Sequence, residues 1–533
     1  VLLSSLKNEK EYTMFQPLPT PKEMAYWDKL SIEQYGIHGE MLMENASREA
    51  LKVLETLCGS LTGKKILLFA GSGNNGGDAF ALSRHLNDCG AQCMLLHTRK
   101  LDQYTGETAY HIELTRKSEV QMYHVPDCDL ISLSRPDIIV DGLLGTGFQG
   151  QLRDDYLNIV EYINGLRDNA FVLALDIPSG LNGYTGKASP TAVRAHATVT
   201  FGAAKIGLFL PEAQDFTGGL HIRTIGIPRS VPEKYPPQCC GLNDNVFEFL
   251  PVSDRLQHKG ASGHLLILGG SQGLSGAPTL AALGALKSGI GLVTVACPRA
   301  ISQEIKQGFP EIMTLPLGPG KNWTEAAFRE LEAHLSRFNA VVFGPGLGRE
   351  DGALEFLQTY LKECNLPTLL DADALFCLAQ DTEIWSQLGK ETILTPHPGE
   401  MSRLTGISTS EIQSNRIQIA QDFVSKNGCI LVLKGAGTVI ASPNKSLCIS
   451  PFSCSNLAIG GSGDVLSGVI GSLKARSVPA TEAACLGVYW HGCAGQYLQN
   501  NYPFRGNLAQ EIAFALPEVS KERMIRKNEN ISK

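Results

Sequence analysis

The chain has 533 residues, 43% of them hydrophobic and 19% charged, with a formal net charge of −7 at pH 7. That length exceeds one ordinary core and predicts about two to four domains, while the ordinary apolar fraction makes a globular rather than a disordered chain the default. Lys and Arg are dispersed and give no basic footprint, so no nucleic-acid partner is expected.

The opening "VLLSSLKNEKEYTMF" has too short an apolar stretch for a signal peptide. A helical start is predicted from Pro21 to Leu57, followed by short β-rich runs: "KKILLFAG", "QCMLLHT", "VQMYHV", "PDIIVDGLLG", "AFVLALDIPSG", "ATVTFGA" and "HIRTIGI". Helix-competent segments separate most of them, the pattern of a parallel sheet covered on both faces. Pro228 to Asn245, with four prolines and no periodicity, reads as a linker. Alternation then restarts with "HLLILGG", "GLVTVACP", "AVVFGPGLG", "PTLLDADAL", "TILTPHPGE" and "CILVLKGAGT", and a helical block follows from Gly463. The charged stretch 518–533 reads as a frayed tail.

The 14 cysteines are scattered through apolar segments, among them Cys297, Cys377, Cys429 and Cys485, with no CxxC pair and one vicinal pair, Cys239 and Cys240. Reduced core thiols of a cytoplasmic protein are the simpler reading. Ser275 to Cys297 comes nearest to a membrane span, but it is rich in Gly and Ala and interrupted by Lys287. A buried helix followed by a strand is expected there, and no membrane partner.

In open α/β sheets ligands bind beyond the carboxyl ends of strands. After the first strand, Gly71, Gly73 and Gly76 form a GxGxxG. A dinucleotide fingerprint also needs an acid at the end of the next strand, and here that strand ends in His97, Thr98 and Arg99. Asn74, Asn75 and Asp78 add polar groups that a plain fingerprint does not need. A second GxGxxG, at Gly145, Gly147 and Gly150, favours phosphate binding over a structural turn. Asp141 and Asp176 stand at or near strand ends, the latter in "LDIPSG" with Ser179 close behind. Asn, Asp and Ser oxygens are hard ligands suited to a cation, although helix capping is the commoner fate of an isolated Asp.

"NNGGDAF", "DGLLGTG" and "DIPSG", in this order after "LMENA", resemble NAD(P)H-hydrate epimerase over residues 14–228. The resemblance implies a Rossmann-like three-layer α/β sandwich. It further implies that Asn74, Asn75, Gly76, Gly77 and Asp78, with Gly145, Thr146, Gly147, Phe148, Gln149, Gly150 and Gln151, hold the phosphates and nicotinamide of the hydrate. Asp176 would face the reacting ring as a catalytic group, and Asn75, Asp141 and Ser179 would coordinate K+.

In the second half, "NLAIGGSGDVLSGVIGSL" runs from glycines into an apolar helix that carries Asp464 near its start. Backbone N–H groups there suit phosphate oxygens, and a carboxylate can accept a hydroxyl proton. No GxxxxGK[ST] occurs, which excludes a P-loop. "LKGAGT" ends a strand in small residues plus Lys434, suited to a nucleotide or to a hairpin turn. "TPHPGEM" places His397 and Glu400 in a proline-pinned loop, and "LLDADAL" puts Asp371 and Asp373 at another strand end, where they could be structural, cation-linked or catalytic.

The Gly-x-Gly-Asp element resembles the ribokinase-like superfamily. Within it, "HKGASGHLLILGGS", "GPGLG", "TPHPGE", "KGAGT" and "GGSGDVLSG" are similar to the ADP-dependent NAD(P)H-hydrate dehydratase over residues 246–517, leaving 229–245 as linker. The resemblance implies a second three-layer α/β sandwich in which Ala261, Gly346, His397 and Asp464 contact the hydrate. Lys434, Gly435, Ala436, Gly437, Thr438 and Gly463 would contact ADP, with Mg2+. Ser462 stands where many members carry Thr and keeps the hydroxyl.

Together the two resemblances imply repair of hydrated nicotinamide nucleotides. One domain would interconvert the R and S epimers of NADHX and NADPHX, and the other would use ADP to dehydrate the S form to NADH or NADPH, giving AMP and phosphate. A dehydrogenase, an alcohol kinase for a vitamin precursor or sugar, and a non-catalytic nucleotide-binding regulatory domain are the rivals. A homo-oligomer is expected.

Overall fold

The computed structural model describes residues 15–130, 133–251, 262–381, 383–443 and 445–531. The chain divides into two compact units whose main boundary falls between Cys240 and Gly241.

The first unit begins with two helices, α1 (Pro21–Glu33) and α2 (Gly39–Cys58). Thr20 opens α1 with a capping box, its hydroxyl accepting from Glu23 N at 3.2 Å while the Glu23 carboxylate accepts from Thr20 N at 2.7 Å. The expected helical start is thus built as two helices, broken near Gly36, whose φ is +69°.

A parallel sheet follows: β1 (Lys65–Ala70), α3 (Asn74–Asp88), β2 (Gln92–His97), α4 (Gly106–Lys117), β3 (Gln121–His124), β4 (Ile138–Gly142), α5 (Asp154–Leu166), β5 (Phe171–Leu175), β6 (Ala197–Phe201) and β7 (Gly219–Arg223). The strands lie in the order β3-β2-β1-β4-β5-β6-β7, every pair parallel. Along β1, Ile66, Leu68 and Ala70 enter one core and Leu67 and Phe69 the other. This period of two with both faces apolar is what a sheet between helix layers requires. The chain winds outward from β1 to β3, then returns to β4 on the other side of β1, which makes the β1/β4 junction a topological switch point.

The segment expected as an aperiodic linker is built. Ser230–Lys234 is a short helix, α6, whose Val231, 1% exposed, joins Met24, Trp27, Leu30 and Ala203 in an apolar cluster, and Cys239–Gly241 is a strand. The prolines interrupt any long periodicity but leave one apolar anchor, which suffices to dock a single turn.

The second unit repeats the alternation with β8 (His264–Leu268), α7 (Gly276–Lys287), β9 (Leu292–Pro298), β10 (Met313–Leu317), β11 (Ala340–Phe343), α8 (Asp351–Glu363), β12 (Thr368–Leu370), α9 (Asp373–Gln380), β13 (Ile393–Leu394), α10 (Pro398–Thr405), α11 (Arg416–Asn427), β14 (Ile430–Leu433), β15 (Val439–Ala441) and β16 (Leu447–Ile449). Three helices close it: α12 (Ser462–Ala475), α13 (Ala480–Gln499) and α14 (Ala509–Ile531). These strands lie in the order β16-β15-β14-β13-β12-β11-β8-β9-β10, parallel from β10 to β14 and antiparallel at the β14/β15 and β15/β16 pairs.

The Ser275 to Cys297 stretch is α7 followed by β9, as expected. Its small residues serve a close helix crossing, since a Cβ on Gly468 of α12 would lie 1.8 Å from the Ala281 carbonyl oxygen of α7. Among the described residues no helix is long and apolar enough to cross a membrane. Cys297, Cys377, Cys429 and Cys485 are buried thiols.

Candidate active sites

The switch point of the first sheet opens into a cavity of about 890 Å3. The loops after β1 and β4 approach so closely that a Cβ on Gly71 would lie 1.6 Å from the Leu143 carbonyl oxygen, and one on Gly76 2.0 Å from that of Gly71. Glycine is therefore a packing requirement at both positions. Helix α3 starts at Asn74, so its unpaired N–H groups and the positive end of its dipole lie at the cavity wall. Asn74, Asn75 and Asp78 line this cavity with Gly145, Thr146, Gly147, Phe148, Gln149 and Gln151, whereas Gly76, Gly77 and Gly150 do not.

Asp141 and Ser179 lie outside the cavity lining, 0% and 1% exposed. Ser179 donates through N and Oγ to the two Asp141 oxygens at 2.8 and 2.5 Å, and Leu143 N adds a bond of 3.2 Å. Burial pushes the Asp141 carboxyl up to about 6, opposed by these hydrogen bonds, and among the described residues no cation contributes. Asn75 Nδ2 donates to the Leu144 carbonyl at 2.8 Å, which leaves Asn75 Oδ1 buried with no hydrogen-bond partner.

Asp176 follows β5 with φ +61°, a left-handed conformation. Its Oδ1 accepts from Lys205 Nζ and, at 3.2 Å, from the Thr200 hydroxyl. Lys205, 2% exposed, also donates to the Phe201 carbonyl at 3.0 Å. Two further carboxyls face this one ammonium. Burial pushes Asp28, on α1, up to about 6 and Asp78 well above the ordinary range, with Asp176 adding to both shifts and Lys205 opposing them. Asp28 Oδ1 is buried without a partner.

The second unit holds a cavity of about 800 Å3. Helix α12 opens behind Gly461, whose φ is +86°, and presents Asp464 to it from the first turn. Lys434, at the end of β14, reaches Asp371, at the end of β12, at 2.7 Å and Glu400 at 3.8 Å. Ser467 of α12 donates to the other Asp371 oxygen. Burial pulls the Lys434 ammonium down, but Asp371, Glu400 and Asp464 together carry it above the usual lysine value. Burial, reinforced by Asp371, pushes the Asp464 carboxyl up to about 7, and Glu400 rises to about 7, mainly by burial.

His397 caps α10, its Nδ1 accepting from Gly399 N at 3.0 Å, while the residue lines the cavity. Burial pulls its imidazole below the usual histidine value. Gly435, Ala436, Thr438 and Gly463 line the same cavity. The turn containing them is also a hairpin, pairing Leu433 with Val439, so the nucleotide and hairpin readings of "LKGAGT" describe one feature. Gly346 and Gly437 do not line the cavity, and a Cβ on Gly346 would lie 2.4 Å from the Leu274 carbonyl oxygen. Ala261 lies outside the described residues.

Four groups escaped the motif reading: Asp28, Lys205, Ser467 and His491. Three of them carried a signal in the local sequence. Lys205 interrupts the apolar run "FGAAKIGLF", Asp28 shares a helix face with buried Met24 and Ser31, and Ser467 lies one turn after Gly463. His491 lies on α13, and burial brings it down to about 4.

Two open α/β sheets, each placing buried carboxylates and one lysine at a cavity beyond its strand ends, define a two-centre enzyme of nucleotide chemistry. Family models match both units: residues 39–207 match "YjeF-related protein N-terminus" and residues 265–518 match "NAD(P)H-hydrate dehydratase". The "Bifunctional NAD(P)H-hydrate repair enzyme Nnr" of Moorella thermoacetica is 35% identical over 94% of this chain and 96% of its own. Its counterpart from Coxiella burnetii is 36% identical over 92% and 96%. The chain belongs to the bifunctional NAD(P)H-hydrate repair enzymes. A solved ADP/ATP-dependent NAD(P)H-hydrate dehydratase from Bacillus subtilis, co-crystallised with ATP and Mg2+, is 30% identical, covering 52% of this chain and 96% of that one at a TM-score of 0.45.

Proposed function

We propose that the chain repairs hydrated nicotinamide nucleotides, epimerising NAD(P)HX in the first unit and dehydrating the S epimer with ADP in the second. The observation that carries the second activity is Asp464, a carboxylate at the N-terminus of α12 with Lys434 and Asp371 nearby in the same cavity. The hydrate bears a hydroxyl on the ring carbon beside nitrogen, and hydroxide leaves poorly. Asp464 accepts the proton of that hydroxyl as its oxygen attacks the β-phosphorus of ADP, and AMP departs. The N–H groups at the start of α12 and the Lys434 ammonium balance the phosphoryl charge. Phosphate then leaves with the ring nitrogen's electrons behind it, a ring proton is lost, and the double bond of NAD(P)H returns.

In the first unit Lys205 fixes the direction of the Asp176 carboxylate. Reversible loss and return of the hydroxyl at that carbon interconverts R and S, and Asp176 assists the proton transfer. The orphaned Asn75 Oδ1 and the uncompensated buried charge of Asp141 fit a monovalent cation, so Asn75, Asp141 and Ser179 would hold K+. Such an ion would supply local positive charge beside the loop after β4. Among the described residues no cluster of three Asp, Glu, His or Cys side chains could hold a metal. Mg2+ would enter on the phosphates of ADP, its usual manner of binding.

The deciding experiment supplies mixed NADHX epimers with ADP and follows the dihydronicotinamide absorbance. Full recovery supports both activities, recovery of half supports dehydration alone, and none refutes the reading.

A further inference from the structure

The sheet order gives the first cavity two ends. Asp176 and Lys205 stand at the β5/β6 end, and Thr98, Arg99 and Tyr156 line it at the β2 end, across the glycine loop. In sheets of this order a dinucleotide lies across the switch point, with its pyrophosphate on the first helix N-terminus and a ribose at the end of the second strand. With the reacting ring at Asp176, as proposed above, the adenosine ribose falls at the end of β2. An acid there holds a 2′-hydroxyl, and an arginine accommodates a 2′-phosphate.

The three residues that end β2 are not equivalent. His97 is 4% exposed with Nδ1 2.6 Å from the Arg99 carbonyl oxygen, and the Thr98 hydroxyl pairs with that of Tyr156 at 3.2 Å. Arg99 is exposed, and its guanidinium makes no ion pair or hydrogen bond to the protein among the described residues. Glu107 also lines the cavity, but its carboxylate packs against Gly39, where a Cβ would stand 2.4 Å from Oε1. An unpaired planar cation at the ribose position matches a phosphate dianion in charge and geometry.

We propose that Arg99 reads the 2′-phosphate, making NADPHX the preferred substrate of the first unit. The assignment rests on the ring lying at Asp176. Its test measures R/S exchange in the full chain without ADP, for NADPHX and NADHX, in the parent, Arg99→Ala and Arg99→Asp. Binding of NADP+ and NAD+ is read alongside as hydrogen-exchange protection of residues 71–78.

The kcat/KM ratio of NADPHX to NADHX falls by about 10- to 100-fold in Arg99→Ala, the range for a hydrogen bond to a charged group, and further in Arg99→Asp. The relative affinity for NADP+ falls in parallel. Ratios within twofold of the parent in both variants overturn the assignment, even if exchange itself proceeds. If the parent exchanges neither substrate but loses NADP+ preference on substitution, the catalytic reading fails and the assignment stands.

Discussion

Lys434 and Asp371 form an ion pair of 2.7 Å in which the carboxylate is 1% exposed. The same ammonium faces Glu400 and Asp464, so one cation offsets three carboxylates. Removing it strands Asp371 in the interior. Lys434→Met is expected to cost about 3–5 kcal/mol, read as lost hydrogen-exchange protection of strands β12 to β14, and to abolish dehydration. Lys434→Arg keeps the charge and restores part of the protection.

With Asp464 at about 7, its basic form is lost as pH falls below neutrality. Dehydration is expected to rise about tenfold per pH unit below 7 and level off above it, measured as kcat/KM from pH 5.5 to 9. Asp464→Asn removes the activity and leaves epimer exchange intact.

The same shift predicts a stability change of definite sign. Between the ordinary Asp value of 3.8 and about 7 the folded chain binds a proton that the unfolded chain does not. Asp464 therefore favours the folded state in acid, and that contribution disappears as pH rises through about 7. Asp464→Asn, which does not titrate, should melt above the parent at pH 8, with the difference shrinking toward pH 4 in paired calorimetric scans.

In the first unit the division of labour is reversed. Asp176→Asn stops exchange and spares dehydration of the S epimer, so that mixed epimers with ADP recover only about half of their absorbance. Lys205→Met removes the cation that opposes the upward shifts of Asp28 and Asp78. Exchange is expected to fall with it, because the Asp176 carboxylate loses the ammonium that orients it.

If Asn75 Oδ1 serves a cation, exchange depends on K+, and Asn75→Ala loses that dependence. Exchange followed in K+ against a bulky quaternary ammonium salt decides this. Equal rates in the parent chain would remove the ion from the scheme.

The two sheets were legible because strands buried on both faces write uninterrupted apolar runs, such as residues 265–268, and helices between them write their own period. Asn75, Asp78 and Asp464 were legible because glycines mark the loops that carry them. Lys205 and Asp28 were not, since nothing in a local window tells that a lysine after β6 and an aspartate on α1 meet around Asp176. The short helix at Ser230–Lys234 was hidden because a single buried Val231 leaves no periodicity to read.

The left-handed backbone at Asp176 bears on how this site can decay. Aspartate tolerates that conformation at some cost, glycine at none, and β-branched residues badly. A single base change converts an Asp codon to a Gly codon, so the mutation that erases the carboxylate also relaxes the turn. A lineage released from the need to epimerise would drift toward glycine here while keeping a well-folded domain. If Asp176 serves epimerisation as proposed, glycine at this position with the surrounding loops intact would mark a silent copy of this unit.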